Sequence, residues 1–206
     1  MNRNLVVIIL IITFFCSTGD TLAQNADIRL LRSLNSPELL PSDGFFRFIS
    51  DSHGYFVASI PITLGAAGFI KRDDDLKNKA LEMAVSAVVN LGITTAIKYV
   101  VNRERPFITY PDIRKKSGAV TPSFPSGHTS AAFETATSLS LSFPRWYVIF
   151  PSFAWAGTVG YSRMHLGVHY PSDVLAGAII GSGSAWLTHV VNKKLSNTRS
   201  RRVSGK

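Results

Sequence analysis

Residues 80–101, ALEMAVSAVVNLGITTAIKYVV, run straight into Asn102, Arg103, Glu104, Arg105 and Pro106. The run is too long for an ordinary strand, and its Ala and Leu content suits a helix packed closely against others, in water or in lipid. Four further apolar runs share this character: Tyr55 to Ile70, Thr129 to Phe143, Trp146 to Tyr161 and Val174 to Val191. We read all five as helices, with Gly65, Gly68, Gly92, Gly177 and Gly181 as small residues suited to close packing. No stretch shows the alternation of a half-buried strand. The expectation is an all-α bundle of about five core helices. The segment Asn102 to Phe124 carries Pro106, Pro111, Gly118 and Pro122, and is read as a loop that is not helical throughout.

A chain of 206 residues suffices for one sizeable core and is short for two ordinary domains. The expected organisation is a signal segment over 1–23, one domain over 24–206 with its chemistry between 98 and 173, and a basic tail over 193–206. An apolar fraction of 46%, a charged fraction of 17% and a mean hydropathy of +0.16 lie between a soluble globule and a polytopic membrane protein. Composition therefore leaves both open. The net charge, 22 basic minus 13 acidic or +9, points to anionic partners.

At the start, Arg3, an 11-residue run from Leu5 to Phe15 and the small-residue exit Thr21-Leu22-Ala23 have the layout of a secretory signal, cut after Ala23. The run falls short of the ~20 residues that span a bilayer. A retained first helix is the alternative. Cys16, the only cysteine, lies in this segment, so the mature chain would hold no disulfide.

The tail carries Lys193, Lys194, Arg199, Arg201, Arg202 and Lys206 with no acid, which the positive-inside rule assigns to the cytoplasm. Attraction to acidic lipid explains it with fewer assumptions than nucleic-acid binding. Counting back through five spans of 15 to 22 residues puts Ser162 to Asp173 and Asn102 to His128 outside, and the loops at Lys71-Arg72 and Arg145 inside. Arg114, Lys115 and Lys116 depart from the rule; we read them as an electropositive mouth, with a solvated loop as the alternative. Glu134 within a span is expected to face neighbouring helices in a polar packing contact. A soluble bundle with buried helices remains the competing reading.

Three strings carry chemistry. Lys98 and Arg105, seven apart, would lie two turns apart on one helix face that ends at Pro106, so both reach one anion. Arg offers a planar fork for two oxygens and Lys a point charge. Pro125, Ser126, Gly127 and His128 precede a helix whose first N–H groups are free for an anion; Ser126 adds a hydroxyl and His128 a general acid. Ser162 and Arg163 bring a third cation. His169 is a candidate nucleophile, and Asp173, in the first turn after Pro171, is placed to orient its imidazole. Arg103 and Glu104 point elsewhere on the helix and receive no role, nor do His53 and His189; His165 is read as a packed or supporting histidine. Three cations and helix N–H groups neutralise phosphoryl charge without a metal.

Written as K-x6-R-P, P-S-G-H and S-R-x5-H-x3-D, the strings resemble the three-part signature of the type 2 phosphatidic acid phosphatase superfamily, which includes the vanadium haloperoxidases. The resemblance covers roughly Ile97 to Gly177, and its surroundings look like the membrane-bound members. It implies a cofactor-free phosphatase in which His169 forms a phosphohistidine, Asp173 orients it and His128 is the acid. Lys98, Arg105, Ser126, Gly127 and Arg163 would bind phosphate. The implied substrate is a lipid phosphate monoester or diphosphate: phosphatidic acid, phosphatidylglycerol phosphate, undecaprenyl diphosphate or a lipid A phosphate. The implied location is the bacterial inner membrane with the site facing the periplasm. The alternatives are a soluble periplasmic acid phosphatase of broad specificity, a vanadium haloperoxidase and a non-catalytic membrane protein. Nothing indicates an oligomeric state, and the role of residues 24–52 is open: they cover the site or recognise the substrate.

Overall fold

In the polar stretch before the first apolar run, Ile28, Leu31 and Asn35 recur at helical spacing and are all buried. They form one face of α1, Leu22–Leu34, and of the turn that ends it. The sequence reading had no helix here. The computed structural model describes residues 22–204, with side chains from 25 to 195. Most of the expected signal segment and the side chains of the tail beyond residue 195 lie outside these described residues.

The second helix, α2, spans Asp43–Lys71 and starts well before the apolar run at Tyr55 that announced it. Its first turn is anchored by the buried Asp43, whose carboxylate accepts from the N–H of Leu40 at 2.9 Å. At its end Arg72 takes the left-handed conformation (φ 54°), and Asp73 caps α3, Asp74–Val101, by accepting from the N–H groups of Asp75 and Leu76. A left-handed Asn102 (φ 46°) then stops α3. The following loop holds one short turn of helix, α4, Pro106–Thr109. Three helices complete the chain: α5, Gly127–Ser142; α6, Trp146–His165; and α7, Pro171–Ser204. The all-helical expectation holds, and each of the five core helices is built around one of the five apolar runs, α2 and α7 extending well beyond theirs.

α5 occupies the centre, in contact with α2, α3, α6 and α7. Its closest neighbour is α7: a Cβ added at Gly181 would lie 2.1 Å from the carbonyl oxygen of Ser130. Only glycine admits that approach. Glu134 is buried on α5, accepting from Ser138 at 2.9 Å, in the packing role expected of it.

The distribution of residues is inverted relative to a water-soluble bundle. Ser86, Asn90, Thr94, Ser130, Thr135, Ser138 and Ser184 are buried, while Phe48, Ile62, Phe69, Val88, Leu91, Val100, Phe150, Leu175 and Ile179 are largely exposed. Small and polar side chains hold such helices together, and an apolar exterior of this extent belongs in lipid. Three helical stretches are long and apolar enough to cross a membrane: Asp43–Lys71, Asp74–Thr109 and Pro171–Leu195. α5 and α6, also read as spans from the sequence, are not among them; α5 has 16 residues, about 24 Å of helix. The protein is a membrane protein with three candidate transmembrane helices.

Candidate active site

The loop between α3 and α5, the α6–α7 connection and the first turns of α5 and α7 meet at one end of the bundle. Ser126 is the N-cap of α5: its Oγ accepts from Thr129 Oγ1 at 2.8 Å, which leaves its own hydroxyl proton to donate. The backbone N–H of Ser126 donates to the Asp173 carbonyl at 3.0 Å, joining α5 to α7. Gly127 is the first helical residue, and a Cβ there would meet nothing within 4 Å.

Lys98 lies in the last turn of α3 and donates to the carbonyls of Pro122 (2.7 Å) and Pro125 (2.9 Å), so two of its three protons shape the loop before Ser126. Arg105 reaches the site by a different route from the one expected. The helix ends at Val101, four residues early, so the two cations do not share a helical face. Arg105 is extended (φ −78°, ψ 151°), as a residue before proline should be, and it caps α4. Its guanidinium donates to the carbonyls of Thr121 (2.8 Å) and Val168 (2.7 Å), and one nitrogen stands 3.3 Å from His169 Nε2. Arg163, 1% exposed, donates to Ser50 Oγ, while its Nε has no hydrogen-bond partner among the described residues. None of Lys98, Arg105 and Arg163 forms an ion pair with a carboxylate among the described residues. Buried cations with donors left over suit an anion.

His169 follows a left-handed Gly167 (φ 70°), which turns the chain from α6 into α7. A Cβ at Gly167 would stand 2.3 Å from the carbonyl oxygen of Arg114, so this turn also packs against the long loop. The imidazole is buried, with Nδ1 3.3 Å from Asp173 Oδ2. A carboxylate on Nδ1 and a guanidinium beside Nε2 assign the proton to Nδ1 and the lone pair to Nε2. Burial pushes the imidazole down to about 4; Asp173 opposes this, and Arg105 and Arg163 add to it. His169 is therefore neutral at pH 7.

Asp173 is fully buried in the first turn of α7 and accepts from Ser123 Oγ, the N–H of Tyr170 (2.9 Å) and Arg103 (2.7 Å). His128 sits at the start of α5 with its ring stacked on His53 of α2, centroids 3.8 Å apart. Burial lowers its basicity, with Arg163, His53, His169 and Arg105 acting in the same direction. A dianion held among these cations would offset them and raise the proton affinity of His128.

Residues 79–196, more than half of the 206, match the family described as the PAP2 superfamily. The chain belongs to that superfamily. It is accordingly a phosphatase of the PAP2 superfamily, in its membrane lipid phosphatase branch. It is 29% identical over 163 residues to an undecaprenyl-diphosphatase of Sulfolobus acidocaldarius, covering 79% of this chain and 76% of that one. A lipid A 4'-phosphatase of Bacteroides thetaiotaomicron is 45% identical over 73 residues, 35% of this chain and 32% of the relative. The fold is also that of the crystal structure of the first transmembrane PAP2 type phosphatidylglycerolphosphate phosphatase from Bacillus subtilis, with a TM-score of 0.73, 21% identity, and 94% and 98% of the two chains covered.

In this PAP2 chain the structure gathers Lys98, Arg105, Ser126, Gly127, His128, Arg163, His169 and Asp173 at one end of the bundle, and it adds others. Arg103, left without a role, grips Asp173. The assignment failed because α3 has already ended at Arg103, so helical projection does not apply to it. His53 and Ser50, in the polar stretch or just beyond it, touch His128 and Arg163. His165 supports the fold, with Nε2 2.7 Å from Asp43 Oδ1, and His189 pairs with Glu82. The expected electropositive mouth is not one. Lys116 is buried against Asp43 at 3.0 Å, Arg114 donates to the carbonyl of Pro37, and Lys115 lies over the Phe107 ring. Arg114 and Lys116 fasten the long loop to the segment around the start of α2, and Lys115 makes its contacts within the loop.

Proposed function

We propose that this PAP2 protein hydrolyses a lipid phosphate monoester or diphosphate at the outer face of the membrane, through a phosphohistidine at His169. The observation that carries the reading is the buried guanidinium of Arg163, which among the described residues has no carboxylate partner and an unpartnered Nε, near a neutral imidazole whose Nδ1 is held by Asp173. Arg163, Arg105, the third proton of Lys98, the Ser126 hydroxyl and the first N–H groups of α5 would bind the non-bridging oxygens. The Nε2 lone pair of His169 attacks phosphorus as the bond to the leaving oxygen breaks, the lipid oxygen of a monoester or the bridging oxygen of a diphosphate, whose lipid monophosphate departs. His128 gives that oxygen its proton. Asp173 balances the imidazolium through Nδ1–H. Water then attacks the phosphohistidine, His128 takes its proton, and the P–N bond breaks to release phosphate and neutral His169.

Two observations support the membrane setting and the outward site. Asp173 and Lys193 lie 20 residues apart on α7, about 30 Å of helix or one hydrocarbon thickness. The basic end of α7 belongs inside by the positive-inside rule, which leaves the site outside, on the periplasmic face of a bacterial inner membrane. The similarity, over 79% of this chain and 76% of the relative, to a protein named undecaprenyl-diphosphatase makes a polyprenyl diphosphate the first substrate to try. Phosphatidylglycerol phosphate, phosphatidic acid and a lipid A phosphate follow.

The test is phosphate release by detergent-purified protein from these lipids and from a soluble aryl phosphate, with and without EDTA and vanadate. Turnover of a lipid that survives EDTA and is blocked by vanadate supports the reading. Turnover of the aryl phosphate alone, or a strict divalent-metal requirement, overturns it.

A further inference from the structure

α1 precedes the part of the chain that matches the PAP2 superfamily, yet one of its side chains is tied into the site. Asp27, its side chain 9% exposed, accepts from Arg103 at 2.9 Å. Its other oxygen accepts from the N–H of Ser172 at 2.8 Å, and the Ser172 hydroxyl donates to the oxygen that Arg103 holds. Arg103 in turn donates to Ser172 Oγ and to Asp173 Oδ1, both at 2.7 Å, and its guanidinium carbon lies over the Tyr170 ring, 3.8 Å from the centroid. Asp173 ends the chain at His169 Nδ1.

We infer that Asp27 is a positioning residue for the nucleophile, the outer member of an Asp27–Arg103–Asp173–His169 chain of alternating charge. The inference rests on the proposed role of His169. Arg103 shared between two carboxylates neutralises Asp173 only in part, so Asp173 keeps negative charge for the imidazolium that forms during transfer. Without Asp27, Arg103 pairs with Asp173 alone, and that support weakens. The same carboxylate fixes the first turn of α7 through Ser172, which sets the angle from which Asp173 meets the ring. α1 is held over this end of the bundle by Ile28 and Leu31 against Ile113 and Tyr170, and by Asn35, which donates to the carbonyls of Arg114 and His165. The stretch whose role was open thus acts on the nucleophile and not only as a cover.

The test compares Asp27→Asn, Asp27→Glu and Arg103→Gln in the detergent-purified full chain, with Arg32→Ala as a control that removes the exposed pair with Asp112 and the contact over the Tyr110 ring. His169 is faced by Asp173 of α7, Arg105 of the α3–α4 loop, Arg163 of α6 and His128 of α5. Removing Asp27 strengthens the hold of Arg103 on Asp173 and makes His169 less basic; removing Arg103 does the reverse. Asp27→Asn is expected to lower kcat about tenfold with KM within about twofold, and to move the acid limb of kcat/KM to lower pH. Arg103→Gln should also lower kcat but move that limb to higher pH. Asp27→Glu should recover most of the rate, and Arg32→Ala should match wild type. Wild-type kcat and pH profile in Asp27→Asn would overturn the inference, as would a rate loss with an unmoved limb. Should Asp27→Asn fail to fold, an unmoved limb in Arg103→Gln overturns it equally. An inactive wild type, or an active His169→Ala, indicts the proposed function instead.

Discussion

His128 lies face to face with His53, ring centroids 3.8 Å apart and planes 29° from parallel. His53 is fixed from its other side, Nδ1 being 2.7 Å from the carbonyl of Ser50. The carbonyl can only accept, so His53 carries its proton on Nδ1 when neutral. Its ring shields one face of His128 from water and adds to the forces that lower the basicity of that imidazole. His53→Ala should therefore admit water, raise the proton affinity of His128 and shift the alkaline limb of kcat/KM upward. kcat should fall about threefold to tenfold as the acid loses its support. The pH profile of the variant checks both effects; a downward or absent shift would separate His53 from the acid.

A second prediction concerns the acid limb of the wild type. As the proposed nucleophile His169 has to be neutral, and burial holds it at about 4, below the ordinary histidine value of 6.5. Below the folded value it protonates and the rate is lost. Activity on a substrate whose own ionisation is complete should thus persist from pH 7 down to about pH 5 and fall near pH 4. The same depression makes the unfolded chain bind the extra proton between about 6.5 and 4, so stability should also decline across that window as pH falls. An acid limb centred near 6.5 would mean that His169 is far better solvated than its burial shows.

Arg163 should separate activity from stability. Its guanidinium is 1% exposed and lacks a carboxylate partner among the described residues. A buried unpaired cation costs folding energy that a phosphate site returns only through binding. Arg163→Met should lower kcat/KM by about 10²–10³, as expected for one lost charge-stabilising donor, while the thermal midpoint in detergent stays level or rises. Parallel loss of activity and midpoint would assign Arg163 to the fold alone.

Lys116 should behave in the opposite way. Its side chain is fully buried, bonded to Asp43 and to the carbonyl of Glu38. Lys116→Met leaves the Asp43 carboxylate with only Leu40 N–H and His165, and should destabilise by about 3 kcal/mol. KM of the folded fraction should stay within about twofold. A raised KM with an unchanged midpoint would restore Lys116 to the mouth of the site.

Much of this was legible in the sequence because its signals are local. Apolar runs marked the five core helices, Pro106 marked the helix as over by Arg105, though it ends four residues earlier, and Pro171 placed Asp173 in the first turn of α7. Ser126 capping α5 was readable for the same reason. What escaped depends on contacts far apart in the chain. Asp27 and Arg103 are separated by 76 residues, and Asp43 and Lys116 by 73. Nothing next to these residues says which charge is buried or with what. The left-handed stop at Asn102 was also hidden, since the helical pattern continues into Arg103 and Glu104 by composition while the backbone does not. α1 was discounted for its polarity, although the spacing of Ile28, Leu31 and Asn35 carried the helical period.

Rapid-quench labelling with a lipid diphosphate carrying a radioactive terminal phosphate looks for a covalent phosphate on the proposed nucleophile, His169. An acid-labile, base-stable phosphoenzyme is expected to form in wild type, to accumulate in His128→Ala when the leaving group is good, and to be absent from His169→Ala. Equal labelling of wild type and His169→Ala, or label carried by Ser126, would contradict the proposal.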